Sequence, residues 1–292
     1  MDKITEQQNS LSKNFNNNSI FEIISLMNKE DASISLAINE QLNQIEKFIL
    51  EIIKNIKKGG RLFYIGCGTS GRLGVLDASE CPPTFSTDPN LVQGIIAGGY
   101  EALYQSIEGA EDSLDDGVEV IKNKDIKSND IVLGISANGA ANFVLGALEE
   151  AFKNGATTGL LTFNNIDKKK YINYLIPIIT GPELISGSTR LKAGTATKMI
   201  LNMITTTTMI KLNKTYNNFM VDLKVSNKKL LDRGIKIINN ILGLDYKESK
   251  LLLNQSKGEV KTALAMHKLN CNYDIAKKKI DAVEGNLSKI LD

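Results

Sequence analysis

Three segments carry hydroxyls in patterns suited to holding an anion, and two carry carboxylates suited to moving protons. Gly66-Cys67-Gly68-Thr69-Ser70-Gly71-Arg72 sets two hydroxyls in a glycine-rich turn, and Ser136-Ala137-Asn138-Gly139 and Ser186-Gly187-Ser188-Thr189-Arg190 repeat the theme. Backbone N–H groups left free at a helix start, beside hydroxyls, suit a terminal phosphate. Thr69, Ser70, Ser188 and Thr189 are therefore candidate phosphate ligands, with Ser136 and Asn138 nearby. Each loop taken singly reads equally well as an ordinary helix cap, and their coincidence favours binding. Glu80 stands in Asp77-Ala78-Ser79-Glu80-Cys81-Pro82-Pro83, where two prolines predict a rigid loop that could aim the acid. Glu108, Glu111, Asp112, Asp115 and Asp116 cluster in IEGAEDSLDDG, on composition alone a charged helix start or a solvated turn.

The first of these turns also matches GxGxxG, the fingerprint of a dinucleotide site. Such a site needs an acidic residue at the end of the second strand to hold a ribose hydroxyl. Here that strand ends in Ile96-Ala97-Gly98-Gly99, so no nucleotide cofactor is expected. Cys67, Cys81 and Cys271 have neither disulfide nor zinc spacing, and no metal is expected. Cys81 has no nearby histidine to activate it and reads as packing. His267, the single histidine, lies among apolar residues in KTALAMHKLN and is expected to pack as well.

The elements that position these residues follow from hydrophobic pattern. Short runs apolar on both faces, RLFYIG, LVQGIIAGG, DIVLGIS, TTGLLTF and YLIPIIT, alternate with helix-length segments such as EALYQSIEG and ANFVLGALEEAFKNG. That alternation predicts a doubly wound α/β domain around a parallel five-stranded sheet, with ligands beyond the C-terminal strand ends. An amphipathic stretch from about Ala32 to Lys58, stopped by Gly59-Gly60, predicts one long helix ahead of the sheet. Another helix is expected from about Leu191 to Leu212, its methionines filling core. Beyond Asn240, Lys-rich amphipathic pieces predict a small C-terminal helical subdomain whose KKK run is a solvated face. The first 30 residues read as a polar arm with one short helix around FEIISLM and no assigned chemistry.

The chain of 292 residues carries 35 Lys and Arg against 33 Asp and Glu, a formal net charge of +2 that gives no field for collecting nucleic acid. Its apolar runs are too short to span a membrane, and MDKITEQQNS has no signal-peptide pattern, so a cytoplasmic protein is expected.

The runs IGCGTSGRLGVLDASECPPTF, IIAGG, IEGAEDS, GPELISGSTRLKAGTATKMILNM and NNFMVDLKVSNKKLLDR together closely resemble the N-acetylmuramic acid 6-phosphate etherases. The resemblance runs from about residue 20 to the end. It implies a flavodoxin-like sugar-isomerase fold over residues 54–217, after an N-terminal arm and helices over 1–53. A helical region over 218–292 would follow, with its subdomain from about 240. The implied partner is a small phosphosugar, and the implied assembly a homodimer with its site at the subunit interface. By the same resemblance Glu80 is the acid that protonates departing lactate and Glu111 the second carboxylate, assigned the base role. A phosphosugar isomerase or a phosphosugar-sensing regulator on the same fold is the alternative. One departure stands out: where the family usually has Ser-Gly-Arg-Thr-Pro, this chain has Asn138-Gly139-Ala140-Ala141-Asn142, without the hydroxyl, arginine and proline.

Overall fold

The computed structural model describes residues 3–223, 225 and 227–292. Met1 and Asp2 of the polar arm, and Lys224 and Ser226 of the NNFMVDLKVSNKKLLDR run, lie outside the described residues. The chain divides into two compact units, Met1–Ser79 with Pro89–Thr205, and Glu80–Asp88 with Thr206–Asp292.

The first unit contains β1 (Leu62–Gly66), β2 (Val92–Ile96), β3 (Ile131–Ile135), β4 (Thr157–Thr162) and β5 (Tyr174–Pro177). These five strands form one parallel sheet in the order β2-β1-β3-β4-β5, the flavodoxin-like arrangement that the family resemblance implies. Every residue of β1 and β3 is buried, as a sheet covered on both faces requires. On one face Phe63, Ile65, Val132 and Leu160 share a core with Phe143, Val144, Ala147 and Leu148. On the other, Phe48 meets Tyr174, with ring centroids 5.5 Å apart. Pro177 ends the edge strand β5, where a missing N–H is tolerated.

Before the sheet come α1 (Ile20–Asp31), α2 (Ile34–Asn39) and α3 (Leu42–Ile56). The expected helix from Ala32 to Lys58 is thus two helices, broken at Glu40-Gln41. Their buried faces explain the break. Ile34 and Ile38 are buried in α2, and Ile45, Phe48, Ile49 and Ile52 in α3, while Leu36 and Leu42, counted in one stripe by spacing, are exposed. Gly59, at φ +82°, lies just past the end of α3 as the stop signal predicts.

α4 (Gly68–Phe85) follows β1, and the boundary between the units falls inside it, after Ser79. Glu80 therefore sits on a helix, not on the expected loop, and Pro82 and Pro83 are accommodated inside that helix. Proline removes an N–H and crowds the preceding turn, so this stretch of α4 lacks two of its usual hydrogen bonds. EALYQSIEG forms only a 3-10 turn over Tyr100–Leu103, and the helix lies further on, as α5 (Leu114–Asn123). Ser113 caps α5, its Oγ accepting from Asp116 N at 3.2 Å, and Asp115 and Asp116 stand in the first turn. α6 (Asn142–Lys153) and α7 (Lys192–Lys211) match the predicted segments, with Met209 fully buried.

Asp77 of α4 accepts a hydrogen bond from Thr205 Oγ1 at 3.2 Å, and the nearby Tyr64 also favours its charged form. Burial pushes its carboxyl above the ordinary range, outweighing Tyr64, Thr205 and the nearby charge of Lys198. The folded form consequently binds more protons than the unfolded one between the ordinary and the raised pKa, and stability falls as pH rises through that window. Asp77→Asn is expected to gain stability relative to the wild type as the pH is raised from about 4, the ordinary Asp value, toward neutrality. Parallel thermal melts across that range would check it, and a constant offset would contradict it.

The second unit holds α8 (Lys228–Leu242), α9 (Tyr246–Gln255), α10 (Val260–Leu269), α11 (Tyr273–Ala282) and α12 (Ser288–Leu291). Val221, Leu223, Ile235, Ile238, Leu253, Val260 and Leu264 form its core. Asn227 caps α8, and Asp245 with Glu248 closes a capping box on α9. His267 is exposed in the last turn of α10, one turn beyond buried Ala263 and Leu264, so the expected packing role fails. Lys277 leaves the solvated KKK face and pairs with Glu259 at 3.1 Å. Among the described residues, no helix is long and apolar enough to cross a membrane.

Candidate active site

The strand order reverses between β1 and β3, whose ends are in register at Gly66 and Ile135. In open α/β sheets this switch point is where ligands bind. A cavity of about 330 Å³ lies there, and Thr69, Ser70, Ser136, Asn138, Thr189 and Glu111 all line it. Six of the eight residues singled out from sequence thus meet around one space. Ser188 is half-buried beside Thr189 but is not part of the lining, and Glu80 belongs to the second unit.

The turn after β1 explains its glycines. Gly68 has φ +50° with open space where a Cβ would be, so backbone angle alone demands glycine. At Gly71 a Cβ would stand 2.6 Å from Ile96 Cγ1 and 2.7 Å from Gly66 O. The GxGxxG spacing therefore reflects how closely α4 approaches β1 and β2, and needs no dinucleotide. Thr69 and Ser70 lie in the first turn of α4, where amide N–H groups have no intrahelical acceptor.

After β3 the polar side chains serve the loop itself. Ser136 Oγ accepts from Ala141 N at 3.3 Å and donates to Asn138 Oδ1 at 3.1 Å, and Asn138 Oδ1 also accepts from Ala140 N at 2.8 Å. Gly139, at φ +71°, lets the chain turn back. With alanines following it, this loop presents no cation, and none of the described residues lining the cavity is Lys, Arg or His. Arg72, at the foot of α4, is occupied elsewhere: Nε donates to Leu103 O at 3.2 Å and Nη2 to Gln105 O at 2.9 Å.

The third loop is held by an acid that spacing does not reveal. Glu183, 1% exposed, accepts from Lys192 N and Ala193 N at 3.0 Å each and so caps α7. Lys192, itself 3% exposed, pairs with Glu30 of α1 at 2.8 Å. Burial raises the Glu30 carboxyl, but the hydrogen bonds from Lys192 and Asn9 and the charge of Lys192 outweigh it and leave the pKa below its ordinary value. These contacts fix the start of α7, just after Gly187 and Thr189.

Glu111 is the acid of the IEGAEDS run that reaches the cavity. Its carbonyl accepts from Phe143 N at 3.0 Å, which ties the loop to α6. Beside it, burial, with smaller contributions from Glu111 and Asp112, pushes the Cys67 thiol up to about 12, so it stays protonated and is no nucleophile at neutral pH. A further acid, Glu6, lines the same cavity. Nothing in the Asn- and Gln-rich composition around it signals this.

Two family descriptions match the chain: the N-terminal SIS domain of glucokinase regulatory protein over residues 44–152, and the C-terminal lid domain of the same protein over residues 217–283. The N-acetylmuramic acid 6-phosphate etherase of Geobacillus thermodenitrificans is 43% identical over 289 residues, covering 99% of this chain and 98% of that protein. N-acetylmuramic acid 6-phosphate etherase 1 of Bacillus licheniformis is 46% identical over 98% of this chain and 95% of its own length. The Clostridium beijerinckii etherase is 45% identical with the same two coverages. With identity at this level over nearly the whole length of both chains, the chain belongs to the N-acetylmuramic acid 6-phosphate etherase family.

Proposed function

We propose that the protein cleaves the D-lactyl ether of N-acetylmuramic acid 6-phosphate, giving N-acetylglucosamine 6-phosphate and D-lactate. The observation that carries this reading is end-to-end identity with etherases, joined to a switch-point cavity walled by hydroxyls, helix-start amides and the carboxylate Glu111.

In the open-chain sugar the ether oxygen on C3 lies β to the C1 aldehyde. A base removes the C2 proton, and the resulting enolate expels the lactate oxygen, which takes a proton from an acid. Water then adds at C3 of the unsaturated aldehyde, and a proton returns to C2. Two carboxyl groups can serve if one is ionised and the other protonated. Glu111, at the cavity, is the proposed base and Glu80 the proposed acid. Thr69, Ser70 and Thr189, with Ser188 beside them, are the proposed phosphate side, where helix-start amides favour an anion. Ser136 and Asn138 are proposed to shape that side of the cavity.

A homodimer working in the cytoplasm is part of the same proposal. Its support is α1, where Ile20, Phe21, Ile24 and Met27 are exposed on a helix with no buried residue. The test of the reaction is to incubate purified protein with N-acetylmuramic acid 6-phosphate and assay D-lactate, with and without chelator. Release that survives chelator supports the proposal. Sugar-phosphate binding without lactate would replace it with a phosphosugar sensor.

A further inference from the structure

Glu6 lies in a polar stretch well ahead of the first strand, yet it is fixed at the cavity wall by a chain of specific contacts. Thr5, 2% exposed, donates its N–H to Asn164 Oδ1 at 3.3 Å, and Asn164 Nδ2 donates back to Thr5 Oγ1 at 3.0 Å. Gly187 N donates to Thr5 O at 3.0 Å, and Ser186 Oγ donates to Glu6 O at 2.9 Å. Further along, Asn9 Nδ2 donates to Pro182 O at 3.1 Å and to Glu30 Oε2 at 2.9 Å. Residues 5 to 9 are thus a strap sewn to the segment before α7 and to the end of β4.

The side chain is oriented as well. Glu6 Oε1 accepts from Thr5 Oγ1 at 3.2 Å, and Oε2 lies over Gly187, where an added Cβ would come within 3.2 Å of it. Among the described residues nothing donates to Oε2. Glu6 is exposed, so water meets this oxygen while the cavity is open, and an occupant that displaces that water must supply the donor in its place. That occupant is a phosphosugar on the function proposed above, and its phosphate is a poor neighbour for Glu6, because like charges at contact repel. The donors left on such a ligand are its hydroxyls and, in the amino-sugar series, its acetamido N–H.

We infer that Glu6 is a sugar-binding carboxylate whose Oε2 accepts a hydrogen bond from a hydroxyl or acetamido N–H of the bound phosphosugar, so that the N-terminal strap forms part of the substrate site. The inference rests on the phosphosugar reading of the cavity and on no particular step of the reaction. A purely structural role for the strap would act on every ligand alike, whereas a contact with the sugar acts on sugars only.

Calorimetric titration of the full chain separates the two. Wild type, Glu6→Gln and Glu6→Ala are each titrated with N-acetylglucosamine 6-phosphate, glucose 6-phosphate and inorganic phosphate. Both variants are expected to bind N-acetylglucosamine 6-phosphate about tenfold or more weakly, the usual loss for a charge-assisted hydrogen bond. Inorganic phosphate should bind unchanged or tighter, because a negative charge has been removed from the wall. A loss shared by both sugars identifies a hydroxyl donor, and a loss confined to the acetylated one identifies the N–H. Equal sugar affinities in wild type and both variants, or equal weakening of all three ligands, overturns the inference alone. A wild type that binds no sugar phosphate overturns it together with the function reading.

Discussion

Glu80→Gln protein is expected to release D-lactate from N-acetylmuramic acid 6-phosphate about 10² to 10⁴ times more slowly than wild type, the range lost when a positioned acid or base is removed. Glutamine keeps the size of the side chain and its place on α4 but has no carboxyl proton to give, so the departing oxygen must leave as an alkoxide. Affinity for the product N-acetylglucosamine 6-phosphate should stay within about threefold, because the lost interaction belongs to the transition state and not to the ground state. Glu111→Gln should match it in rate but differ in one respect. If Glu111 takes the C2 proton, exchange of that proton with deuterated solvent disappears in Glu111→Gln and persists in Glu80→Gln. A Glu80→Gln rate within about fivefold of wild type would remove Glu80 from the chemistry, and exchange surviving in Glu111→Gln would reassign the base.

The second large effect is on stability. Glu183→Ala strips two amides at the start of α7 of the side-chain acceptor they share and leaves a void where a buried carboxylate stood. Hydrogen bonds to a charged group contribute about 1.5–3 kcal/mol each, part of which water entering the void restores. A net loss of about 3 kcal/mol is the expected result, on the order of 10 °C in the midpoint of thermal unfolding for a unit of this size. Glu183→Gln keeps one acceptor and should lose about half as much. The same variants should bind phosphosugars more weakly, since the loop carrying Gly187 and Thr189 ends where α7 begins. A midpoint within about 2 °C of wild type for Glu183→Ala would show that solvent or a neighbour replaces the cap.

The sheet was readable because each strand is apolar on both faces, and its order puts the turns after β1 and β3 side by side. That adjacency turned scattered hydroxyls at 69, 70 and 136 into one wall, which the loop before α7 completes with Thr189. Periodicity misled where it could not sense phase: Leu36 and Leu42 continue a stripe by count but belong to two helices with different buried faces. His267 failed for a different reason: it continues the face of Ala263 and Leu264, but the last turn of α10 is exposed. The proline pair after Glu80 argued for a loop, and α4 absorbs it instead. Glu6 and Glu183 had no local signature at all, because their placement depends on contacts such as Thr5 with Asn164, 159 positions apart in the chain.

The cavity lining has a consequence for how an anion comes to rest against it. Most phosphate sites draw their ligand with lysine or arginine, and dissolved salt weakens them by screening that attraction. This wall has amide dipoles, hydroxyls and two carboxylates in place of cations. Dipoles act only over the length of a hydrogen bond and are hardly screened, while the repulsion from the carboxylates reaches further and is screened. Against this wall, moderate ionic strength lowers the barrier to a phosphosugar's approach and leaves its grip, once seated, nearly untouched.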